Sequence, residues 1–367
     1  MKTNSLAEIQ PGDLKQEPIE RAETIPSSWY HSDEIFNLEQ EALFSSFWQL
    51  ACHKSELSEA GDMRTLEVAE NPLLLVRDQQ NRVNAFYNVC KHRGGPVAVK
   101  KGTTSVLQCQ YHGWTYLLDG SLRGVPQFRK VDLFDKKDFG LEPVTKENWE
   151  GLLFLSLNDD IKPITHFLDG IAKQIAPIDL SAFKFAEEHS YILNCNWKVY
   201  VDNFLEGYHI PIVHPELAKL LDYREYKTDT SDWYSLQHSP FQNDDNLYKS
   251  DDGKAYYYYI FPNIMLNILP GRLQTNVIRP ISPGTTEVIF KYYYKDLNDT
   301  QMIQDDISYS DEIQQEDIEI CELVQKGLKS KAYDKGRFSV EREQGVYHFQ
   351  TLLKRELARS LKIKEND

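Results

Sequence analysis

The 367-residue sequence has no apolar run that approaches the roughly 20 residues needed to span a bilayer, and its first residues lack the apolar stretch of a secretory signal. Basic residues are in the minority, because 41 Lys and Arg stand against 56 Asp and Glu, which gives a net charge of −15. This acidic balance disfavours nucleic-acid phosphates and anionic membranes as partners. The sequence therefore predicts a cytoplasmic protein that binds neither nucleic acid nor membrane.

Cysteine is scarce, and its distribution does not suggest disulfides. The five cysteines are an odd number, dispersed over a chain without a secretory signal, which argues against a disulfide framework. Thiols in a reducing compartment are more often buried small hydrophobic residues or metal ligands. Cys90 and Cys109 are each followed closely by a histidine, whereas we expect the other three to be core thiols: Cys52, Cys195 and Cys321.

Apolar residues make up 41% of the chain, enough for a substantial core, and the length suggests about two domains. A polar, proline-interrupted arm is followed by apolar residues at helical spacing. Short β-rich runs then predict a small antiparallel domain, and mixed helical and β-rich stretches come after Pro163. We predict an α+β protein in three segments: an arm and helix packed on the last domain (1–46), a β domain (47–157) and an α+β domain (158–367).

Two Cys-His pairs follow strand-like runs in the β domain. One residue separates Cys90 from His92, two separate Cys109 from His112, and 16 residues lie between the pairs. Glycines follow each pair, as expected where loop backbone approaches a bound group closely. Two thiolates and two imidazoles suit zinc or an iron–sulfur cluster. One sulfur and one nitrogen from each loop favour a two-iron centre, because structural zinc ligands usually come as Cys pairs.

A second group of candidate residues lies on a helical run that reaches Pro211. Asp202, Glu206 and His209 fall on one helical face at i, i+4 and i+7. His214 follows His209 by five residues, which places it about 140° around a regular helix from His209. The two histidines could therefore not share a ligand if the helix continued. We predict that Pro211 ends the helix and that the broken segment brings the two histidines together.

A third ligand is predicted on a helix over 311–329, whose apolar stripe comprises Ile313, Ile320, Val324 and Leu328. Asp317 lies within this stripe, where an isolated carboxylate is too costly, so it should be paired or bound to metal. Two histidines and one carboxylate with open positions opposite form the facial triad of non-haem Fe(II). The neighbouring acids are expected to be solvated surface residues: Glu312, Glu316, Glu319 and Glu322.

Together these motifs resemble the Rieske non-haem iron oxygenases, specifically their large (α) subunit. The likeness covers nearly the whole chain, including the run Asn-Phe-Leu-Glu-Gly-Tyr-His-x4-His at 203–214 and the helix at 316–328. In Rieske proteins both thiolates bind one iron and both imidazoles the other, which gives potentials of roughly −150 to +300 mV. The resemblance implies two ligand sets: Cys90, His92, Cys109 and His112 for a 2Fe-2S cluster, and His209, His214 and Asp317 for a mononuclear Fe(II).

The resemblance also implies a fold and further residue roles. The expected fold is an N-terminal Rieske β domain followed by a helix-grip catalytic domain, in which an antiparallel sheet wraps around a long helix. Glu206 takes the place of an acidic residue that links the cluster of one subunit, through His112, to the iron of a neighbour in a homotrimer. Asp202 and Asn203 are candidates for residues that support the iron ligands.

The implied activity is the O2-dependent hydroxylation or oxidative demethylation of a small aromatic or quaternary ammonium compound. The chain lacks a Gly-x-Gly-x-x-Gly nucleotide loop, so electrons should come from NAD(P)H through a separate flavin and iron–sulfur reductase. Glu206 favours similarity to choline and carnitine oxygenases, although Glu206-Gly207-Tyr208-His209 stands where these usually have Glu-Cys-Tyr-His. Two other interpretations stay open here: an electron carrier without a second iron, and a zinc-braced binding protein.

The run Tyr256-Tyr257-Tyr258-Tyr259 offers aromatic rings for cation–π attraction to a quaternary ammonium group. A strand directs alternate residues to opposite faces. At most two of these four rings can therefore face the same cavity.

Overall fold

The computed structural model describes residues 9–220, 225–240 and 254–362, so the first eight residues of the predicted arm lie outside the described residues. The chain forms two compact units. The β unit comprises residues 44–164, and the helix–sheet unit combines the described residues up to Leu43 with those from Thr165 onward. Within the described ranges, no helix has both the length and the apolar character that a membrane crossing requires.

The β unit consists of three small antiparallel sheets with the strand orders β1-β10-β9, β4-β3-β2-β5 and β6-β7-β8. The loop with the first Cys-His pair follows β4, and the second pair lies between β6 and β7. Cys90 and Cys109 belong to the same apolar core cluster as Trp114 and Tyr116. The strands are β1 (Gln49–His53), β2 (Asp62–Val68), β3 (Asn71–Arg77), β4 (Val83–Tyr87), β5 (Gly102–Thr103), β6 (Leu107–Gln108), β7 (Thr115–Tyr116), β8 (Leu122–Gly124), β9 (Thr145–Trp149) and β10 (Leu152–Ser156).

The helix–sheet unit is built on one seven-stranded antiparallel sheet with the order β11-β17-β16-β15-β14-β13-β12. Neighbouring strands in the described chain pair mostly in sequence order, and β11 joins the far edge beside β17. The strands are β11 (Lys184–Leu193), β12 (Lys227–Thr230), β13 (Tyr234–Pro240), β14 (Lys254–Ile260), β15 (Ile264–Leu269), β16 (Arg272–Ser282) and β17 (Thr285–Tyr294).

One long helix, α7, packs against α4, α5 and β11, and α8 packs against α4, β12 and β13. This arrangement of helices on an antiparallel sheet confirms the predicted α+β class. α7 begins eleven residues before the predicted start, because Asp299 caps it by accepting a 3.0 Å hydrogen bond from Met302 N. The helices are α1 (Asp33–Glu39), α2 (Ile164–Phe167), α3 (Ile171–Gln174), α4 (Trp197–Phe204), α5 (Ile210–Val213), α6 (Pro215–Leu220), α7 (Thr300–Leu328) and α8 (Gln344–Ser360).

The segment before α1 is bound to the C-terminal part of the chain. Ile25 N donates to Gln350 Oε1 at 2.8 Å, Gln350 Nε2 donates to Tyr30 OH at 3.1 Å, and Gly336 N donates to Thr24 Oγ1 at 2.9 Å. Ile25 is fully buried. These contacts make the N-terminal segment an integral part of the helix–sheet unit.

The predicted helix end at Pro211 is wrong. α4 ends at Phe204, and Pro211 lies in the first turn of the separate short helix α5. Asp202 and His209 therefore do not share a helical face. Pro fits the first turn of a helix because that position needs no backbone N–H donor, so Pro211 starts a helix here instead of ending one.

The predicted apolar stripe of α7 is also shifted. Val324 is 44% exposed, whereas Gln314, Cys321 and Gln325 are buried. The two glutamines can be buried because their amides are paired: Tyr200 OH donates to Gln314 Oε1 at 2.7 Å, and Asn196 N donates to Gln325 Oε1 at 2.8 Å. The inward face of α7 is thus displaced by one residue over most of the stripe that hydrophobicity alone predicts, whereas Leu328 is buried as predicted.

Candidate metal centres

The two Cys-His loops of the β unit have the same backbone hydrogen-bond pattern. Gly94 N donates to Cys90 O, and Gly113 N donates to Cys109 O, both at 3.0 Å. Both glycines have φ of +72°, a left-handed conformation that residues with a Cβ adopt only at a cost. The two loops therefore require these glycines. Each loop presents one thiol and one imidazole.

The four side chains of these loops suit a cluster of metal ions. Cys90 and Cys109 are buried, and burial raises the pKa of the Cys90 thiol against the opposing hydrogen bond with Tyr116, so a thiolate here needs a cation beside it. The buried Nδ1 of His92 has no hydrogen-bond partner in the described chain, which leaves it available as a ligand. The rings of His92 and His112 lie 4.7 Å apart.

Space and charge around the loops are consistent with the same ligand roles. A Cβ on Gly95 would lie 3.1 Å from Cys109 Sγ, so glycine keeps the sulfur accessible. Burial, followed by the charge of Arg93, lowers the pKa of His112, which favours the neutral imidazole that binds metal. His92 stacks on Trp114 with ring centroids 4.8 Å apart, which shields it from solvent.

In the described chain, only one group of three His, Cys, Asp or Glu side chains has ligand atoms that all lie within 4.8 Å of one another: His209, His214 and Asp317. His214 Nε2 lies 3.0 Å from Asp317 Oδ1, and His209 Nε2 lies 3.7 Å from the same oxygen. The loop between α4 and α5 and the short helix α5 bring the two histidines together, and α7 supplies the carboxylate. The Cys and His side chains of the β unit do not form such a group in the described chain.

Further polar side chains hold each of these three ligands. His209 Nδ1 lies 2.8 Å from Glu206 Oε1, and Asn203 Nδ2 donates to Asp317 Oδ1 at 2.6 Å. Glu206 also accepts hydrogen bonds from the backbone N–H groups of Tyr208 and His209. With Nδ1 as the donor to Glu206, the Nε2 lone pair of His209 faces Asp317, the geometry of a metal-binding histidine with a carboxylate behind it.

Glu316 is exposed, as expected of a surface acid, but it also contacts one of the candidate iron ligands, which the sequence does not predict. Its Oε2 lies 2.6 Å from Nδ1 of His214, a buried histidine. Burial lowers the pKa of His214, but the hydrogen bonds and charges of Asp317 and Glu316 outweigh burial and raise it. Three carboxylates around two imidazoles create a negative site that favours a divalent cation. The sequence did not predict the contact of Glu316 with His214, because the only signal for it is a charge beside Asp317, and many surface acids share that signal.

Asp202 is placed away from the three ligands. Its hydrogen bonds in the described chain come from Tyr30 OH at 2.5 Å and from Gln350 Nε2 at 3.2 Å. Burial raises the pKa of Asp202 to about 7 against these hydrogen bonds, which lower it. Asp202 therefore links α4 to the N-terminal segment and α8. The prediction that it supports the iron ligands is wrong.

A cavity of about 120 Å³ lies beside the three ligands in the helix–sheet unit. Strand register places Tyr257, Asn267 and Gln274 side by side on the sheet face that lines it. Of the tyrosines at 256–259, only Tyr257 lines this cavity, within the predicted maximum of two. Aromatic rings from four parts of the unit also line it: Tyr200, Phe204, Tyr226, Phe290 and Tyr309.

The contact of Glu316 with His214 leads to a testable expectation. Glu316→Gln should lower the affinity for the mononuclear metal about 10- to 100-fold, because the amide cannot hold the imidazole as strongly as the carboxylate. Iron titration of the metal-free protein measures this. Glu312→Gln, an exposed acid one turn earlier on α7, is the matched control and should leave the affinity unchanged. Equal affinities in both variants would contradict a supporting role for Glu316.

The fold and the two ligand groups define a class of protein: an oxygenase with an iron–sulfur domain and a mononuclear iron domain. Comparisons with family models agree with this class. Residues 47–135 match the Rieske [2Fe-2S] domain, and residues 180–359 match the catalytic domain of the ring hydroxylating alpha subunit.

Three relatives extend the similarity over most of the chain. The chloroplastic choline monooxygenase of Arabidopsis thaliana is 31% identical over 353 residues, which covers 92% of this chain and 83% of that protein. The carnitine monooxygenase oxygenase subunit of Acinetobacter baumannii is 31% identical over 367 residues, with 95% and 98% coverage. The solved structure of a quaternary ammonium Rieske monooxygenase matches with a TM-score of 0.87, 29% identity and coverage of 93% and 99%.

The chain belongs to the Rieske non-haem iron oxygenases. It is an oxidoreductase whose cofactors are a Rieske 2Fe-2S cluster and a mononuclear iron. The alternative interpretations as a simple electron carrier or a zinc-braced binding protein are thereby excluded, since neither has a catalytic oxygenase domain.

Proposed function

We propose that the chain is the oxygenase component that uses O2 to hydroxylate or oxidatively demethylate a quaternary ammonium compound in the cavity of the helix–sheet unit. One observation carries the proposal: the Nε2 atoms of His209 and His214 both face Asp317 Oδ1, at 3.7 and 3.0 Å, on the wall of an aromatic cavity. These three residues hold the mononuclear iron. The cluster ligands are Cys90, His92, Cys109 and His112.

The residues around the iron ligands fix their protonation and direction. Glu206 and Glu316 hold the Nδ1 atoms of the two imidazoles, so that each Nε2 lone pair is directed inward. Asn203 holds one oxygen of Asp317 by hydrogen bonding. When bound, the mononuclear Fe(II) supplies O2 activation with electrons that arrive singly from a Rieske cluster. Of the aromatic rings that line the cavity, Tyr200 and Phe290 are buried and the others are partly buried, so that together they limit the access of water to the site.

The aromatic lining and the balance of charge favour a cationic substrate. A quaternary ammonium group is attracted to aromatic faces by about 2 kcal/mol when desolvated. Arg272 also lines the cavity, but its Nε lies 2.8 Å from Oδ2 of Asp306, a fully buried carboxylate to which Tyr294 also donates. The arginine charge is therefore matched within the wall, and a substrate cation meets no unbalanced positive side chain there. The names of the choline and carnitine monooxygenases among the relatives favour the same class.

Gly207 contributes to this aromatic lining. A Cβ at this position would lie 2.8 Å from the ring of Tyr226. Tyr226 OH donates to Gln237 Oε1 at 3.0 Å, which fixes the ring beside the cavity. The absence of a side chain at Gly207 thus makes room for an additional aromatic face, which is compatible with a quaternary ammonium substrate.

Two buried polar atoms suggest that the substrate also carries a neutral polar group. Asn267 Oδ1 and Gln314 Nε2 belong to cavity-lining residues and have no hydrogen-bond partner in the described chain. A buried polar atom without a partner costs about 1–3 kcal/mol, so a ligand that pairs with it gains affinity. A hydroxyl group, which both donates and accepts, fits an acceptor and a donor in one cavity.

Substrate turnover tests the proposal directly. We expect O2 uptake and a demethylated or hydroxylated product with choline or L-carnitine, given reduced protein and a suitable electron donor. The neutral isostere 3,3-dimethyl-1-butanol should react with a kcat/KM about 30-fold lower, the equivalent of about 2 kcal/mol. Oxidation of aromatic hydrocarbons with no turnover of quaternary ammonium compounds would contradict this substrate class. Equal kcat/KM for choline and its isostere would contradict the cation–π argument.

The proposal extends to assembly and partners. We place the Rieske domain at residues 47–157 and the catalytic domain at residues 158–367, with residues 1–46 packed on the latter. We propose a homotrimer that receives electrons from a separate NAD(P)H-dependent flavin and iron–sulfur reductase, with transfer between subunits through His112 and Glu206. Supporting this, the solved relative is described as giving insight into inter-subunit electron transfer.

A further inference from the structure

Positive charge is concentrated in the segment that carries the cluster loops. From Cys90 to Lys137 the chain has nine Lys or Arg and three Asp, so this segment has a net charge of +6. Because the whole chain has a net charge of −15, the remaining residues carry −21. All nine basic side chains are exposed. We call this set the basic surface: Lys91, Arg93, Lys100, Lys101, Arg123, Arg129, Lys130, Lys136 and Lys137.

Most of this charge is not neutralised within the described chain. Lys91 Nζ forms an ion pair with Glu142 Oε2 at 2.6 Å. Arg93 Nη2 lies 2.7 Å from His112 Nε2. For the other seven basic residues, no carboxylate in the described part of the chain lies within ion-pair distance. A surface that holds this much charge of one sign attracts a partner of the opposite sign.

Part of the basic surface lies close to the cluster ligands. The ring of Phe128 is 5.9 Å from that of His92, and Arg129 and Lys130 follow Phe128 directly in sequence. Exposed apolar side chains occur among the cations: Tyr111, Val131 and Leu133. A few apolar residues among many charges are typical of transient electron-transfer contacts, whereas permanent interfaces between subunits are larger and more apolar.

We propose that the basic surface docks an acidic iron–sulfur electron-donor protein, which reduces the cluster of this chain. The inference rests on the proposed function, in which the four Cys and His residues hold the cluster and a separate protein supplies electrons. In each transfer the reduced donor cluster loses one electron and the oxidised Rieske cluster gains it. Plant-type 2Fe-2S centres lie near −400 mV and Rieske centres at roughly −150 to +300 mV, so the transfer is downhill.

Stopped-flow reduction of the oxidised cluster tests the proposal without any substrate. The full chain is mixed with a strongly acidic plant-type 2Fe-2S ferredoxin that NADPH and its reductase keep reduced, and the visible bands of the Rieske cluster are followed. We expect Arg129→Glu/Lys130→Glu to lower the second-order rate constant about 10- to 100-fold at low ionic strength. The difference should nearly vanish at about 0.5 M salt, where screening is strong. The neutral pair Arg129→Gln/Lys130→Gln should give an intermediate rate.

Lys329→Glu/Lys331→Glu is the matched control, because it makes the same change of charge at exposed positions of the helix–sheet unit. This variant should keep the wild-type rate constant. Photoreduction with deazaflavin needs no docking and should proceed equally in all variants.

An Arg129→Glu/Lys130→Glu variant that reacts at the wild-type rate at every ionic strength would overturn the proposal. If that variant also lost oligomer mass in light scattering, the surface would instead join copies of this chain. A protein without Rieske bands before mixing would instead contradict the cluster assignment, so the failure of the proposed function can be distinguished.

Discussion

Asp317→Ala is expected to abolish product formation, with activity reduced at least about 1,000-fold, while the visible spectrum of the Rieske cluster stays intact. The carboxylate is the point on which both histidine Nε2 atoms converge, at 3.0 and 3.7 Å, so its removal leaves two imidazoles without the anionic ligand. Iron should fall from about three to about two per chain, and sulfide should remain at about two. Iron and acid-labile sulfide analysis, with EPR spectra of anaerobically purified protein, measures both quantities.

A second aspartate on the same helix provides the control for this experiment. Asp305 is exposed on α7, and its side chain accepts a hydrogen bond from Gln301, four residues earlier. Asp305→Ala should keep all three irons and full activity. An Asp317→Ala protein that retains three irons and forms product would show that the mononuclear iron is bound elsewhere.

Cys109→Ser is expected to remove the chromophore and all turnover that depends on electron delivery. The thiol is buried, and serine replaces the thiolate with a hydroxyl that does not ionise at neutral pH and binds iron–sulfur clusters poorly. The variant should lose two irons and two sulfides per chain, about the content of one 2Fe-2S centre. It should keep the mononuclear iron, because His209, His214 and Asp317 all belong to the other compact unit.

Cys52→Ser separates cluster ligation from the effect of losing a buried thiol. Cys52 is buried in β1 of the same unit, in a core cluster that does not contain the two loops. We expect its variant to show a normal spectrum and full iron content, with at most a modest loss of stability. A normal visible spectrum in Cys109→Ser would contradict the cluster assignment.

The cluster loops could be predicted from sequence because each is a local turn. The ligands of one loop lie within three residues of each other, and the glycines that the turns require are adjacent in sequence. The same holds for His209 and His214, whose proximity follows from a break in the helix even though the break was assigned to the wrong residue. Short-range geometry of this kind depends on few distant contacts.

Which face of α7 is buried, and what Glu316 contacts, both depend on residues that are distant in sequence. The sequence does not reveal these distant partners. Hydrophobicity places Gln314 outside the core, but Tyr200, 114 residues earlier, pairs with its amide and makes burial possible. Glu316 similarly becomes a supporting residue only because His214 lies 2.6 Å away. Asp202 fails as a supporting residue because α4 ends before it can share a face with His209. Each error concerns a polar residue whose environment is set by a partner more than 100 residues away or by a helix end.

The contacts between the N-terminal segment and α8 have a consequence for the order in which the protein folds during synthesis. Ile25 and Tyr30 require Gln350, which leaves the ribosome more than 300 residues later. At about 5–20 residues per second, this is a delay of tens of seconds, during which the segment has no native partner. The β unit is continuous in sequence and can complete its own core first. Cluster assembly can thus precede formation of the iron pocket, and an early truncation should yield a brown but inactive product.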